Sequence, residues 1–366
     1  MLLRLLLRAV MIVALLALLN AVIVVHPPRP LVPCPDDGET PALREYNPTA
    51  TAEFITLRDR QFYAGETPYV VRGVNYYPAN SPWRRFLTDT SVDTVRAELD
   101  LLRGAGLNTL RLFLWYPPLF VCDGPTPAVG AFTVLDNVLH EAAARGFRLI
   151  VTLHDLPDLR DYPLYDAPPH TQAQTAFIIQ RYHDERAILA WDVRNEGDID
   201  YGSNNVLGGG FARPVVLEWL RTTAEQIRAL DSQHLLTAGW LHDAWSTAGF
   251  VDFVSFHHWQ DSARLQERLA EIRRHTDKPV LLEEFGYSTF VVTPEEQARL
   301  IAETRQAVED AGLLGWLIWT AFDFPLSATC LPSPCVSADN AEHHFGLWYA
   351  DHAPKPAVAA IQWSSP

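Results

Sequence analysis

The stretch "AILAWDVRNEGD" (residues 187–198) joins a nearly continuous apolar run to a charged ending. A short apolar run of this kind indicates a β-strand that is covered on both faces. Seven further runs share its length and its richness in β-branched and aromatic residues. They cover residues 69–77, 107–115, 147–155, 234–240, 251–259, 278–286 and 313–323.

Helix-like segments separate these runs. One begins at Ser91 as its N-cap, and another has Thr293 as N-cap with Pro294 in its first turn. Eight strands alternating with helices predict an α/β protein, a (β/α)8 TIM barrel. A doubly wound open sheet is the alternative, but the first predicted strand ends in "GVNYYPAN" and lacks the glycine-rich phosphate loop typical of that fold.

The N-terminus differs from the rest of the 366-residue chain. Arg4 and Arg8 precede an uncharged apolar run over residues 9–25, which predicts an uncleaved signal anchor or, alternatively, a cleaved signal peptide. We expect residues 26–51 to form a proline-rich linker and residues 52–363 to form one domain. The arginines place that domain outside the cytoplasm, next to a membrane if the helix is retained.

Composition narrows the possible partners. The net charge of −15 and the pI of about 5.3 argue against nucleic acid as a partner, because phosphate binding requires a basic face. The four cysteines are an even number in a chain predicted to be exported, which suggests two disulfides. They lack the C-x-x-C spacing typical of zinc sites, and we expect neither a metal nor a cofactor. The four cysteines are Cys34, Cys122, Cys330 and Cys335.

Polar and aromatic residues recur where the predicted strands end, and active sites of (β/α)8 barrels lie at this face. Two of them, Glu196 and Glu284, would be carboxylates at one barrel mouth, as retaining glycoside hydrolysis requires. A surface salt bridge is the alternative for each, but an unpaired acid at the end of a buried strand is costly. The other candidates are Asn75, Arg111, His154, Asn195, Trp240, His257, Trp259 and Trp319.

Over residues 52–363 the motifs resemble glycoside hydrolase family 5, the cellulase and β-mannanase family of retaining (β/α)8 enzymes. They are "VRGVNYYP", "NTLRLFL", "WDVRNE", "VDFVSFHHW", "KPVLLEEFG" and "GWLIW", in that order. The resemblance implies that Glu196 is the acid/base and Glu284 the nucleophile. Glu283 competes for the second role, but strand alternation lets only one of the two enter the mouth. We therefore expect Glu283 to face outward, paired with an arginine.

The implied chemistry sets expectations for protonation. Glu284 must be ionised, which Arg111 would favour, and Glu196 must be protonated, with a pKa raised by the negative charge of Glu284. Asn195 would bind the sugar 2-hydroxyl. His257 would position the pair, and Trp319 would form the floor of the sugar site.

The remaining candidates, Asn75, His154, Trp240 and Trp259, are expected to contact carbohydrate. Two positions depart from the family pattern. Gly197 replaces the proline of the usual Asn-Glu-Pro motif. Trp259 replaces the tyrosine of the His-x-Tyr motif that usually ends the sixth strand.

The resulting interpretation is a retaining β-glycosidase acting on a mannan- or glucan-type carbohydrate. A non-hydrolytic carbohydrate-binding barrel, a transglycosylase and a metal-dependent hydrolase are the alternatives. The sequence does not indicate an oligomeric state.

Overall fold

The computed structural model describes residues 31–34, 42–49, 53–156, 164–201, 210–329 and 338–362. Its central feature is a parallel sheet with eight strands in chain order. They are β1 Val71–Asn75, β2 Thr109–Phe113, β3 Arg148–Thr152, β4 Ile188–Asp192, β5 Leu235–Thr237 with Gly239–Trp240, β6 Val254–His257, β7 Val280–Phe285 and β8 Gly315–Ile318.

The sheet closes into a barrel because each strand pairs with its neighbours in the chain and β8 pairs with β1. Strand β5 is interrupted at Ala238. Its first part pairs with β4 and its second part with β6. The predicted (β/α)8 barrel is therefore confirmed, and the open sheet is excluded.

Helices cover the outside of the barrel between successive strands. The predicted N-caps Ser91 and Thr293 accept hydrogen bonds from the backbone of Thr94 and Glu296. The longer helices are α1 Val92–Gly104, α2 Val129–Ala144, α3 Pro168–Tyr182, α4 Arg213–Leu230, α5 Ser262–His275, α6 Pro294–Asp310 and α7 Pro356–Ile361. Shorter helical segments are Trp83–Arg85, Phe86–Asp89, Tyr116–Leu119, Gly197–Asp200, Ala244–Thr247, Leu326–Thr329 and Ala341–His343.

An antiparallel sheet before the barrel was not predicted from the sequence. Its strands are Ile55–Arg58, Gln61–Ala64 and Thr67–Tyr69. Phe62 is fully buried and packs edge-on against Phe253, with ring centroids 5.0 Å apart. The sheet belongs to one apolar cluster with inward-facing residues of the barrel strands, so it covers the N-terminal end of the barrel.

One of the two expected disulfides, Cys34–Cys122, is present and joins the segment before the barrel to the loop after β2. Cys330, Cys335 and the predicted apolar segment of residues 1–25 lie outside the described residues, as does most of the expected linker. Among the helices that the structure describes, none is long and apolar enough to cross a membrane.

Candidate active site

Glu196 reaches the barrel mouth through an abrupt turn after β4. Its backbone is left-handed, with φ 47° and ψ 40°, and its amide donates to the carbonyl of Gly239 at 2.7 Å. Such a conformation is uncommon for a residue with a side chain and persists where its surroundings impose it. The turn directs the carboxyl into the mouth, where the side chain is 13% exposed.

Strand β7 presents two glutamates to the interior because it carries one extra residue. Phe256 pairs with Leu282 and His257 with Glu284, so Glu283 has no partner on β6. The register against β8 shifts over the same residues. An extra residue breaks the alternation of inward and outward side chains. The expectation that Glu283 faces outward is therefore wrong: it is fully buried, and its carboxyl lies 3.6 Å from Arg111 Nε.

Arg111 is the charged centre of the site. The guanidinium is fully buried and donates to Asp192 Oδ2 from Nε at 3.1 Å and from Nη2 at 2.5 Å. It also donates to Glu284, to Asn75 Oδ1 at 3.1 Å and to Asn195 Oδ1 at 2.9 Å. A single cation thus orients the expected nucleophile and the expected sugar-binding amide together.

His257 joins the two catalytic candidates. Its Nδ1 lies 2.8 Å from Glu196 Oε1 and 3.3 Å from Glu284 Oε2. Burial opposes a charge on this imidazole, but Glu284 and Glu196 outweigh it and raise the pKa of His257. Ligand atoms of the three residues all lie within 4.8 Å of one another. A cation could fit such a group, yet the guanidinium of Arg111 against Glu284 disfavours a second positive charge there.

The protonation order in the unliganded site is opposite to the expected one. Burial raises the pKa of Glu284 to about 7 despite the charges of His257 and Arg111. Burial also acts to raise the pKa of Glu196, but the hydrogen bond and charge of His257, with Arg111 and Arg194, outweigh it and lower that pKa. Repulsion between the two acids alone would raise the pKa of Glu196, but the charge of His257 beside it has the larger effect.

Three predicted binding residues lie below or beside the mouth. Asn75 is fully buried, and its amide donates to the carbonyl of Glu283 at 3.0 Å. The His154 ring turns outward, 3.2 Å from Thr175 Oγ1 on α3. Trp240 is fully buried, and a Cβ atom on Gly197 would approach its Nε1 to 2.9 Å. The three side chains are therefore better placed to hold other site residues in position than to contact a sugar.

The other predicted aromatic residues border the opening. Trp319 is 9% exposed and packs edge-on against Phe113, with centroids 5.8 Å apart. Trp259 is 39% exposed and packs against Phe345 at 5.6 Å.

The sequence interpretation missed the role of Asp155, which accepts from Asn195 Nδ2 at 3.0 Å and from the Tyr77 hydroxyl at 2.7 Å. Its position directly after β3 was the available signal. Two further acids near the site, Asp192 and Asp198, are both buried. Asp192 bonds Arg111, and Asp198 accepts backbone N–H groups after β5, at 3.0 Å from Leu241.

Comparisons with known proteins agree with this fold. The chain is 24% identical over 303 residues to mannan endo-1,4-beta-mannosidase F from Aspergillus fumigatus, covering 65% of this chain and 65% of that protein. It therefore spans just under two thirds of that relative's length. No protein-family model matches the chain.

Solved structures share the architecture. A glycoside hydrolase family 5, subfamily 18 enzyme from Streptomyces cattleya, in complex with Manb1-4GlcNAc, superposes with a TM-score of 0.67 at 22% identity, covering 79% of this chain and 78% of that one. An endo-1,4-beta-mannanase from Rhizomucor miehei gives 0.61 at 17% identity, covering 85% and 97%.

Fold and site together define a (β/α)8 barrel with paired glutamates at its mouth. The chain is thus similar in fold to enzymes of glycoside hydrolase family 5, the family that its motifs resemble.

Proposed function

We propose that this protein is a retaining β-glycoside hydrolase that cleaves β-mannosidic bonds. The observation that carries the proposal is the proximity of Glu196 and Glu284. A carboxylate oxygen of one lies within 4.8 Å of a carboxylate oxygen of the other. Retaining enzymes hold their two carboxyl groups about 5–5.5 Å apart, whereas inverting enzymes need room for a water between them. The named relatives that act on mannan or bind Manb1-4GlcNAc favour mannose over glucose.

Each step follows from a named group. Glu284, oriented by Arg111, attacks the anomeric carbon while Glu196 donates a proton to the leaving oxygen. Glu196 then removes a proton from the water that hydrolyses the glycosyl ester. Asn195 donates one amide N–H to Asp155, so its second N–H can bind the sugar 2-hydroxyl.

The test compares matched substrates. Nitrophenyl β-mannoside and β-1,4-mannooligosaccharides are assayed against the corresponding glucosides and cello-oligosaccharides, and NMR identifies the first-formed anomer. We expect mannosides to react faster, with net retention. Inversion, or faster hydrolysis of glucosides, would contradict the proposal. Binding without turnover would favour the carbohydrate-binding barrel, and transfer products in place of free sugar would favour a transglycosylase.

We further propose that the barrel lies outside the cytoplasm and is held at a membrane by residues 1–25. Arg4 and Arg8 ahead of the apolar run, together with the Cys34–Cys122 disulfide, support this placement. Mass spectrometry of the N-terminus and alkaline extraction of membranes test it. A mature chain that begins beyond residue 25 would contradict the anchor but leave the export intact.

A further inference from the structure

Two consecutive tyrosines follow β1 and donate their hydroxyls to different buried acids. Tyr76 and Tyr77 are both fully buried. The Tyr76 hydroxyl donates to Glu98 Oε2 at 2.8 Å, on helix α1 outside the site. The Tyr77 hydroxyl donates to Asp155 Oδ2 at 2.7 Å, after β3. Of these two acids, Asp155 is the one that contacts a residue of the candidate site, so the Tyr77 hydroxyl has a possible role in function that the Tyr76 hydroxyl lacks.

The hydrogen bonds around Tyr77 have fixed directions. The half-buried indole of Trp115 donates from Nε1 to the Tyr77 hydroxyl at 2.8 Å, and an indole N–H cannot accept. Tyr77 therefore directs its own proton to Asp155. The second oxygen of Asp155, Oδ1, accepts from Asn195 Nδ2 at 3.0 Å. Trp115, Tyr77, Asp155 and Asn195 thus form one chain of hydrogen bonds that leads to the expected sugar-binding amide.

The amide of Asn195 is held at both ends. Its oxygen accepts from Arg111 Nη2 at 2.9 Å, and its nitrogen donates to Asp155. A flipped amide would place the nitrogen against a cation and the oxygen against a carboxylate, so these two charges select one orientation. One Nδ2 hydrogen is used in this way, and the other can bind the sugar 2-hydroxyl. Contacts with this hydroxyl strengthen in the transition state, so their geometry affects the rate.

The ring of Tyr77 packs against the expected floor of the sugar site. It stacks on Phe113, with centroids 5.1 Å and planes 16° apart, and meets Trp319 edge-on at 6.5 Å. Tyr77 therefore contacts the floor through its ring and Asp155 through its hydroxyl. Removal of the hydroxyl alone should leave the floor in place.

We propose that Tyr77 and Asp155 are positioning residues that hold the Asn195 amide for its contact with the sugar 2-hydroxyl. Tyr77 fixes the Asp155 carboxylate, and Asp155 fixes the Asn195 nitrogen. The assignment rests on the proposed function and deepens it, because mannose and glucose differ in the configuration of this hydroxyl.

The protonation states and the backbone suit this role. Burial and the charge of Asp155 raise the pKa of Tyr77 well above its usual range, so the hydroxyl keeps its proton and remains a donor. Burial also raises the pKa of Asp155, and the hydrogen bond from Tyr77 is the largest effect that opposes this. The Asp155 carbonyl accepts from Arg194 Nη1 at 2.7 Å, and this contact does not require the Asp155 carboxyl. The ends of β3 and β4 should therefore stay joined when the carboxyl is removed.

The first test compares Tyr77→Phe with Tyr76→Phe in the full-length protein. Each variant removes one buried hydroxyl that donates to a buried acid, so we expect similar losses of stability. On dinitrophenyl β-mannoside, Tyr77→Phe should lower kcat/KM about tenfold, and Tyr76→Phe should leave it unchanged. On the 2-deoxy analogue both variants should match the wild type, because Asn195 then has no 2-hydroxyl to bind. An equal loss on both substrates, or an equal loss in both variants, would overturn the assignment.

A second set of variants tests whether the residues act in sequence. Asp155→Ala should lower kcat/KM on the mannoside at least as much as Tyr77→Phe, and the double variant should lose no more than Asp155→Ala alone. Asp155→Ala added to Asn195→Ala should likewise have little further effect. Each variant is measured at its own pH optimum, because Asp155 also acts to raise the pKa of Glu284. Additive losses in either double variant would contradict the proposal.

A third measurement needs no catalysis. In the full-length protein labelled with ¹⁵N-asparagine, the side-chain amide signals of Asn195 are assigned with Asn195→Ala. They should shift in Tyr77→Phe and in Asp155→Ala and stay in place in Tyr76→Phe. Unchanged signals in the first two variants would reject the positioning role. The signals report on the amide even if no mannoside is hydrolysed, so failure of the proposed function and failure of the positioning role remain distinguishable.

Discussion

The ends of β4 and β7 deliver the two catalytic candidates by different backbone devices. At β4, the strand has ended and a left-handed residue turns Glu196 into the mouth. At β7, the strand continues and an extra residue rotates Glu284 inward beside Glu283. The first device leaves one acid next to a histidine, whereas the second buries two acids next to one arginine.

The difference explains why the two carboxyls have different electrostatic environments. Glu196 is partly open to solvent, and the cations beside it outweigh burial, so its pKa is lowered. Glu284 is more deeply buried and has two acids in its vicinity, so its pKa is raised to about 7. Ionised carboxyl groups are thus less favourable at the end of β7 than at the end of β4. We therefore expect substitutions at the end of β7 to have the larger effects.

The largest expected effect is at Glu284 itself. Glu284→Gln removes the proposed nucleophile and should lower kcat by about 10⁴-fold on every substrate. Glu196→Gln should lower kcat by about 10²–10⁴-fold on unactivated mannosides, but far less on dinitrophenyl β-mannoside, whose leaving group needs no proton. Steady-state kinetics on the two substrates check this. Equal sensitivity of both variants to the leaving group would contradict the assignment of roles.

The next prediction concerns pH. Activity requires one proton on the pair, and this state exists between the lowered pKa of Glu196 and the raised pKa of Glu284. Rising pH removes that proton, so kcat/KM should fall about tenfold per unit above about pH 7. A kcat/KM profile with circular dichroism at each pH checks this. An alkaline limb well above 8 in a folded protein would contradict the pKa order.

Sequence reasoning succeeded where the backbone follows its period and failed where it does not. Alternation and strand ends located Glu196, Glu284 and Arg111, and the helix N-caps were correct. Alternation also predicted, wrongly, that the Glu283 side chain faces outward. The extra residue in β7 cannot be recognised from the sequence "PVLLEEFG". The proton order was missed for a related reason: it depends on distances across the barrel from His257, and these are set by tertiary packing.

A substitution at Arg111 tests whether the structure at the end of β7 depends on one guanidinium that contacts several side chains. Arg111→Lys keeps a cation but loses the fork that contacts Asp192, Asn195 and Glu284 together. Breaking a buried ion network of this kind costs about 3–5 kcal/mol, and we expect the free energy of unfolding to fall by that order. Denaturant titration measures it. Arg221→Lys on the exposed face of α4 is the control and should change stability little.

Gly197 tests the turn at β4. A Cβ atom here would lie 2.9 Å from both Arg194 Cγ and Trp240 Nε1, so Gly197→Ala must displace one of them. We expect a loss of about 1–3 kcal/mol and a lower kcat, because the adjacent Glu196 moves with the turn. Gly104→Ala, where a Cβ meets nothing within 4 Å, is the matched control. Full activity in Gly197→Ala would show that the mouth tolerates a looser turn than its geometry implies.

The smallest expected effect lies at the rim, where Trp259 replaces the tyrosine of the family pattern. Its ring is 39% exposed and packs against Phe345. Because an aromatic contact contributes about 0.5–1.5 kcal/mol, Trp259→Ala should raise KM several-fold and leave kcat nearly unchanged. Trp259→Tyr should then restore KM without altering the pH profile. A large change in kcat, or a shifted pH profile, would show instead that the ring influences the nucleophile, and the contrast between the β4 and β7 ends would have to include β6.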